Sequence, residues 1–448
     1  MRRRSIPPNI ACVTASEAKP EEKPQATPSP SVWRHRDFLL LWGGQTVSEM
    51  GSSVTQLALP LTAVVLLRST TFQVGLLTAA VTLAFAVIAL PAGAIVDRIP
   101  KRRLMIVCDA ARLVIIGSVP VAWAAGVLAL WQLYVVAVAA GVCTVFFDVA
   151  YQSYLPSLMD SGQLIDANGR LQATAEIARL VGPGLGGGLV GAFGAAGAMT
   201  ADAVSYAVSV ASLLGIRHRE TPAPARPAEA KRSLRADIAE GLVFVVRHPI
   251  LRRVVACTGT SNLFSGVATA VDILFLIRVL HVAPGYTGLL FALGSVGGVI
   301  GGVLSGRLAK RIGSARIIWV SVLVFGIPSV LPALAEPGWL IVLVPIGFAF
   351  NSFAAVVYNV AQVSYRQAIC PPQLMGRMNA ATRWIVWGTL PFGGVIGGFL
   401  GTEIGIRPTM WIGLVCSWAA GWFVFFSPLR TMRDVPAMEA GTSDTDPD

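Results

Sequence analysis

The chain has 448 residues, 54% of them hydrophobic and only 13% charged, with a formal net charge of +11. So much apolar residue over so little charge excludes an ordinary soluble globular protein and fits an integral membrane protein. The positive balance does not indicate nucleic acid as a partner, because Lys and Arg fall in short runs between apolar stretches and do not gather on one face.

The N-terminus opens on Met1-Arg2-Arg3-Arg4, yet no apolar core of a signal peptide follows before the Pro-, Glu- and Lys-rich stretch that ends near Ser31. Residues 1–36 are expected to form a disordered cytoplasmic tail. A helix needs about 20 mostly apolar residues to cross the hydrocarbon core. Twelve such segments are predicted, at 38–67, 72–96, 104–126, 130–151, 171–193, 197–216, 251–280, 284–304, 315–335, 339–358, 378–400 and 406–426. The charged, Pro-rich stretch 217–250 reads as a cytoplasmic linker and 429–448 as a cytoplasmic tail. The expected fold is therefore all-α and membrane-integral, with six-helix bundles at 37–216 and 251–428. With both termini inside, the non-cytoplasmic segments hold only Arg68, Arg278 and Arg407, and the remaining basic residues outside helices fall on the cytoplasmic side. The expected location is the cell membrane.

The two halves echo each other. Gly93-x-x-x-Asp97-Arg98 recurs as Gly302-x-x-x-Gly306-Arg307, Asn168-Gly169-Arg170-Leu171 as Met375-Gly376-Arg377-Met378, and Asp148-Val149-Ala150 as Asn359-Val360-Ala361. Nearly constant spacing between the copies implies duplication. Parallel repeats about the membrane normal are a transporter architecture, with the substrate held between them near the midplane.

Ionisable groups inside membrane helices are costly, so each is a functional candidate that faces a cavity or a partner. Glu49 lies near the middle of the first segment, with Gln45, Ser52, Ser53 and Gln56 at helical spacing around it. It is the first candidate for a proton-coupling carboxyl, against the alternative of a hydrogen-bonded packing group. The seventh segment carries Thr258, Ser261, Asn262, Ser265, Thr269 and Asp272 in steps of three and four, a second polar stripe. Asp272 is a candidate proton acceptor, a gate or the partner of Arg278. Glu176 is a third coupling candidate, either paired with Arg179 at i,i+3 or bridging to Arg383 in the other half. Gln45, Gln56, Asn262, Ser265, Thr269, Asn359, Trp384 and Trp387 are candidate cavity residues, the tryptophans, with Trp42 and Tyr151, by stacking on a bulky substrate. Asp148 reads as an ion-pair latch with the basic loop at Arg98–Arg103, and Asp109 with Arg112 as a structural i,i+3 pair. The scattered histidines and cysteines give no metal-binding spacing, and no phosphate-binding loop is present, so no metal, cofactor, ATP-driven step or enzymatic activity is expected.

The loop Gly93-Ala94-Ile95-Val96-Asp97-Arg98-Ile99-Pro100-Lys101-Arg102 resembles the cytoplasmic signature of the major facilitator superfamily, and the resemblance runs from about Trp33 to Leu429. The segments around Asn168 and Met375 are similar to the branch that contains macrolide efflux and enterobactin export proteins. The resemblance implies a cytoplasmic gate at Gly93, Asp97, Arg98, Lys101, Arg102 and Asp148, with Asp97 set against the helix start near Gly376. Gly182-Pro183-Gly184-Leu185-Gly186-Gly187, preceded by Arg179, resembles the antiporter motif of proton-driven exporters, although Ala178 stands where the fuller motif has glycine. Ordinary tight packing is the alternative reading of those glycines. The function so implied is proton-coupled export of amphipathic small molecules such as drugs, antibiotics or secondary metabolites, by a monomer in the bilayer. The alternative is an importer or facilitator of a nutrient or metabolite, a siderophore included, on the same fold.

Overall fold

The structure, a computed structural model, describes residues 35–96, 99–159, 163–218, 220, 242–369 and 375–434. In the first half, α1 (Arg36–Leu61) continues through a π turn (Thr62–Leu66), then α2 (Thr71–Val96), α3 (Lys101–Ala124) and α4 (Leu130–Leu158) follow. The helical stretch Leu164–Gly215 reverses at Gly194, whose φ of 73° is open to glycine at little cost. It is therefore two helices, α5 (164–193) and α6 (195–215). The second half holds α7 (Leu251–Leu274) with a π turn (Phe275–Val279), α8 (Pro284–Ile312), α9 (Arg316–Leu323), α10 (Leu343–Ile369), α11 (Met375–Gly388), α12 (Leu390–Glu403), α13 (Ile406–Ala419) and α14 (Gly421–Phe425).

Ten stretches among the described residues are long and apolar enough to cross a membrane. One of them, 167–215, contains the Gly194 reversal and counts as two, and α1 with its π turn is a further, more polar crossing. The total is consistent with the twelve expected. Helix ends and interruptions differ from the sequence reading where proline sits. The ninth crossing changes from α9 to a 3-10 stretch (Ile327–Leu334) that contains Pro328 and Pro332, which remove backbone donors. The eleventh breaks at Thr389, just before Pro391, and the Thr389 hydroxyl donates to the Val386 carbonyl at 2.9 Å.

Duplication is visible in three dimensions. The π turns at Thr62–Leu66 and Phe275–Val279 occupy matching places, and each is followed by a non-glycine residue in the left-handed region, Arg68 (φ 48°) and His281 (φ 55°). Within the first half α1 packs along α5 and α6, and α3 packs against α4 and α6. In the second half α7 packs on α12 and α13, and α8 on α10. Across the halves the principal contacts are α5 with α8 and α2 with α12. Water is absent from the bilayer core, so these contacts rest on close packing and hydrogen bonds more than on hydrophobic burial.

That inter-half packing is made by glycines and sits toward one end. A methyl group on Gly75 would stand 2.4 Å from Gly398 Cα, and one on Gly187 would stand 2.6 Å from the Gly285 carbonyl oxygen. Neither has room, so the helices touch backbone to backbone. Both contacts lie toward the end that carries Ser69 and Leu280, called here the far end; the near end is where α1 begins. At the far end Arg278 also reaches across, its Nη2 donating to the Ser69 carbonyl at 2.5 Å.

Candidate functional site

The candidate site is built on α1, whose polar residues give it low hydropathy for a crossing helix. Glu49 lies 13 residues after Arg36, about 20 Å along the axis and near the middle of the crossing. Gln45 Nε2 donates to Glu49 Oε1 at 2.9 Å, and the carboxyl is half-buried. Tyr151 of α4 is close enough to feel the charge of Glu49, and its hydroxyl is buried with no hydrogen-bond partner among the described residues. Trp42 Nε1 donates to Thr174 Oγ1 of α5 at 3.0 Å. Gln56, two turns beyond Glu49, is exposed. The structure thus gathers Trp42, Gln45, Glu49 and Tyr151 on α1 and α4 into one polar patch.

The second stripe does not stay together. Thr258 meets the Tyr358 hydroxyl of α10 at 2.7 Å, Ser261 meets Ser417 of α13 at 2.9 Å, and Asn262 donates to the Val386 carbonyl of α11 at 3.0 Å. Three consecutive members of the stripe therefore tie α7 to three different neighbours. Ser265 is half-buried, and Thr269 is exposed. By the match of the two π turns Glu49 corresponds to Asn262, and Asp272 lies ten residues closer to the far end, about 15 Å along the axis. Its Oδ1 is buried without a hydrogen bond among the described residues, and Arg278 turns to Ser69. Of the three roles open to Asp272, pairing with Arg278 is not the one seen: Arg278 donates to a carbonyl in the opposite half.

Glu176 pairs with Arg179 at 3.4 Å and accepts from Gln172 at 2.8 Å, and both members of the pair are exposed. The Arg383 side chain of the proposed cross-half bridge lies outside the described residues. So do Asp97 and Arg98, while Gly93 falls in α2 and Gly376 in α11 with their surroundings not described. Arg102 does not latch onto Asp148. Its Nε and Nη2 donate to the carbonyls of Leu213 and Leu214 at the end of α6, both at 2.9 Å. The backbone N–H groups of Lys101 and Arg102 are met by the Glu220 carboxylate at 2.7 and 2.6 Å, an anion at the start of α3 where the helix dipole favours one. Asp148 lies within electrostatic reach of Arg112 and Tyr151, and its expected latch with Arg98 falls outside the described residues. On the second-half side Asn359 is exposed and accepts from Gln362 at 3.1 Å. Trp384 and Trp387 are each nearly half exposed, and Trp387 packs on Phe85 of α2 with ring centroids 5.8 Å apart.

The glycine motif of α5 divides its work. Gly182 and Gly186 face α1, where added methyl groups would stand 2.2 Å from Ser53 Cβ and 3.3 Å from Val54 Cα. Gly187 and the Pro183 carbonyl face Gly288 of α8 in the other half. One helix thus holds the polar helix α1 on one side and the opposite bundle on the other. Gly186 and Gly187 recur as Gly393 and Gly394 of α12, which approach α7 and α2 in the same manner.

A buried network behind α1 was not evident from spacing. Asp109 pairs with Arg112 as expected, and Asp109 also accepts from Ser209 Oγ at 2.5 Å. The guanidinium lies over the rings of Phe147 and Tyr206 at 4.6 and 4.5 Å. Asp202 of α6 belongs to the same region. It carries the sequence signal of any acid in an apolar helix, but its neighbours Gly51 and Thr55 come from α1, 150 residues upstream.

A family model described as the Major Facilitator Superfamily matches residues 41–388, and a second placement of it matches 255–445. The chain belongs to the major facilitator superfamily. As a major facilitator transporter it is a multi-pass membrane protein that moves small molecules, and its fold is not that of an enzyme. It is similar to the multidrug efflux pump Tap of Mycolicibacterium fortuitum, 27% identical over 383 residues that cover 83% of this chain and 90% of that protein. Among solved structures it shares the fold of a bacterial homologue of the iron transporter ferroportin at 16% identity. The TM-score is 0.67 against the inward-facing state, covering 88% of this chain and 98% of that one, and 0.56 against the outward-facing state, covering 88% and 100%.

Proposed function

We propose that this transporter exports amphipathic small molecules in exchange for protons, by rocking of its two halves about a cleft lined by α1, α4 and α5. The observation that carries the reading is the similarity to the efflux pump Tap along most of both chains. The patch around Glu49 supports it, since a half-buried carboxyl near the midplane, hydrogen-bonded to Gln45, suits a group that exchanges a proton and an organic cation. Glycine contacts at the far end and the better match to an inward-facing relative support a cleft open at the near end, the cytoplasmic side by the distribution of Lys and Arg. The chain acts as a monomer in the cell membrane, with both termini in the cytoplasm. The domains that move are the bundles 37–216 and 251–428.

Everted membrane vesicles test this. Vesicles that contain the wild-type chain should take up ethidium when the lumen is acidified and lose that uptake on addition of an uncoupler. Glu49→Gln should abolish gradient-driven uptake while leaving the protein in the membrane. Uptake that survives the uncoupler contradicts proton exchange, and full uptake by Glu49→Gln removes Glu49 from the coupling role.

A further inference from the structure

Asp202 sits in α6 with 1% of its surface exposed. Its Oδ1 accepts from Ser205 Oγ at 3.2 Å, and its Oδ2 is buried with no hydrogen-bond partner among the described residues. No cation is within ion-pair distance of it among the described residues. The charged and titratable groups around it are Asp109 and Arg112 of α3, Tyr206 of its own helix and, through Arg112, Asp148 of α4. Arg112 is committed to Asp109, and its guanidinium is clamped between two aromatic rings. α1 presents only the buried hydroxyl of Thr55, which lies beside the Asp202 carboxyl, and the bare backbone of Gly51.

An ionised carboxylate in that setting would have no counter-ion within ion-pair distance among the described residues and only hydroxyl groups beside it, which costs several kcal/mol. A buried carboxyl escapes that cost by binding a proton. The neutral acid gains a donor on Oδ2, and Thr55 Oγ1 stands beside it as an acceptor.

The position of Asp202 relative to α1 ties this to transport. A methyl on Gly51 would stand 2.7 Å from Asp202 Oδ1 and 2.2 Å from Ser205 Oγ, so α1 and α6 are in direct contact there. Glu49 is two residues earlier, about 200° around the same helix, and so faces the opposite way at the same depth. Ser52 Oγ and the Tyr206 hydroxyl, 2.9 Å apart, link the polar side of α1 to Arg112. One helix therefore separates a carboxyl at the cleft from a carboxyl in the bundle interior.

We infer that Asp202 is a second proton-binding residue of this transporter, which holds its proton while α1 lies against α6 and exchanges it with water when α1 moves away. The protonation rests on the geometry of the bundle alone; its use in coupling rests on the export reading above.

The test uses the purified full-length chain in lipid nanodiscs and infrared difference spectroscopy. At neutral pH the wild type should show a protonated-carboxyl stretching band that Asp202→Asn removes, whereas Glu49→Gln leaves it in place. In everted vesicles Asp202→Asn should lose gradient-driven ethidium uptake and keep gradient-independent exchange. Should Asp202→Asn fail to fold, Thr55→Val and Ser205→Ala retain the carboxyl and should shift the same band. A spectrum unchanged by all of these overturns the proposal. So does a lost band with undiminished gradient-driven uptake, which would make Asp202 a static neutral group. Failure of wild-type vesicles to move ethidium would count against the export reading and leave the band intact.

Discussion

Arg112 and Asp109 are both almost fully buried, at 4% and 0% exposure, so each is tolerable only because the other is there. Removing one partner strands a charge. Asp109→Ala is expected to destabilise the first half by about 3–5 kcal/mol, read as a large drop in the melting temperature in detergent. The double change Asp109→Leu with Arg112→Met should cost less than the single one, because no charge is left unpaired. If the single and double variants melt alike, a stranded charge is not what the single change costs. This ion pair was legible in the sequence, since residues three apart on a helix share a face. Asp202 was not, because its environment is set by a helix distant in the chain. The partners of Arg102 were hidden for a related reason: the sequence shows a basic loop, but not the carbonyls of Leu213 and Leu214 at the end of α6 that its guanidinium meets.

On α5, two glycines with similar local sequence carry different loads. Gly182→Ala drives a methyl group into Ser53 and should cost about 1–3 kcal/mol as overpacking. Gly188→Ala meets nothing within 4 Å and should be neutral or slightly stabilising, as alanine favours helix. Thermal melting of the two variants separates them; equal losses would mean that the glycines act through backbone flexibility and not through contact with α1. The motif was readable from the sequence as a small-residue pattern, while its division between α1 and α8 was not, because a helix pattern gives spacing and not the identity of the neighbour. Proline placed the interruptions at Pro328, Pro332 and Pro391 within view, yet the spans were drawn as continuous since hydropathy alone ignores backbone donors.

A segment beyond α14 also fixes an element. Residues Arg433 and Asp434 receive the start of α9: the Arg433 carbonyl accepts from Ala315 and Arg316, and the Asp434 carboxylate accepts the Ser314 N–H at 2.9 Å and its hydroxyl at 3.1 Å. The backbone hydrogen bond from Ser314, above all, holds the Asp434 carboxyl below its ordinary range. A depressed folded value means that the attachment is at full strength above the ordinary Asp range and fades as pH falls through the depressed value. Proteolysis of the C-terminal segment should accordingly increase in acid, and Asp434→Asn should show the acid-like cleavage at neutral pH. Cleavage that does not respond to either change would show that the segment is held by Leu429 and its neighbours alone.

At the scale of the molecule, the paired repeat was readable in motif spacing, and the structure repeats it in its π turns, its left-handed residues and its inter-half glycines. The direction of opening was not readable, since both states of such a transporter share one sequence. At the far end the Arg278 bond to the Ser69 carbonyl joins the halves, and a hydrogen bond to a charged group contributes about 1.5–3 kcal/mol. Arg278→Gln should therefore raise the far-open population by about tenfold or more, seen as a longer component in the distance between spin labels at Val127 and Trp339. An unchanged distribution would leave the glycine contacts as the whole of the seal.

The most direct measurement of two halves rocking about one cleft places two label pairs in one protein by electron–electron resonance. Labels at Ser153 and Ser364, exposed at the near ends of α4 and α10, report one mouth, and labels at Val127 and Trp339 report the other. Across a titration from alkaline to acid pH, rocking predicts that one distance grows as the other shrinks. Distances that stay fixed, or that lengthen together, would contradict it.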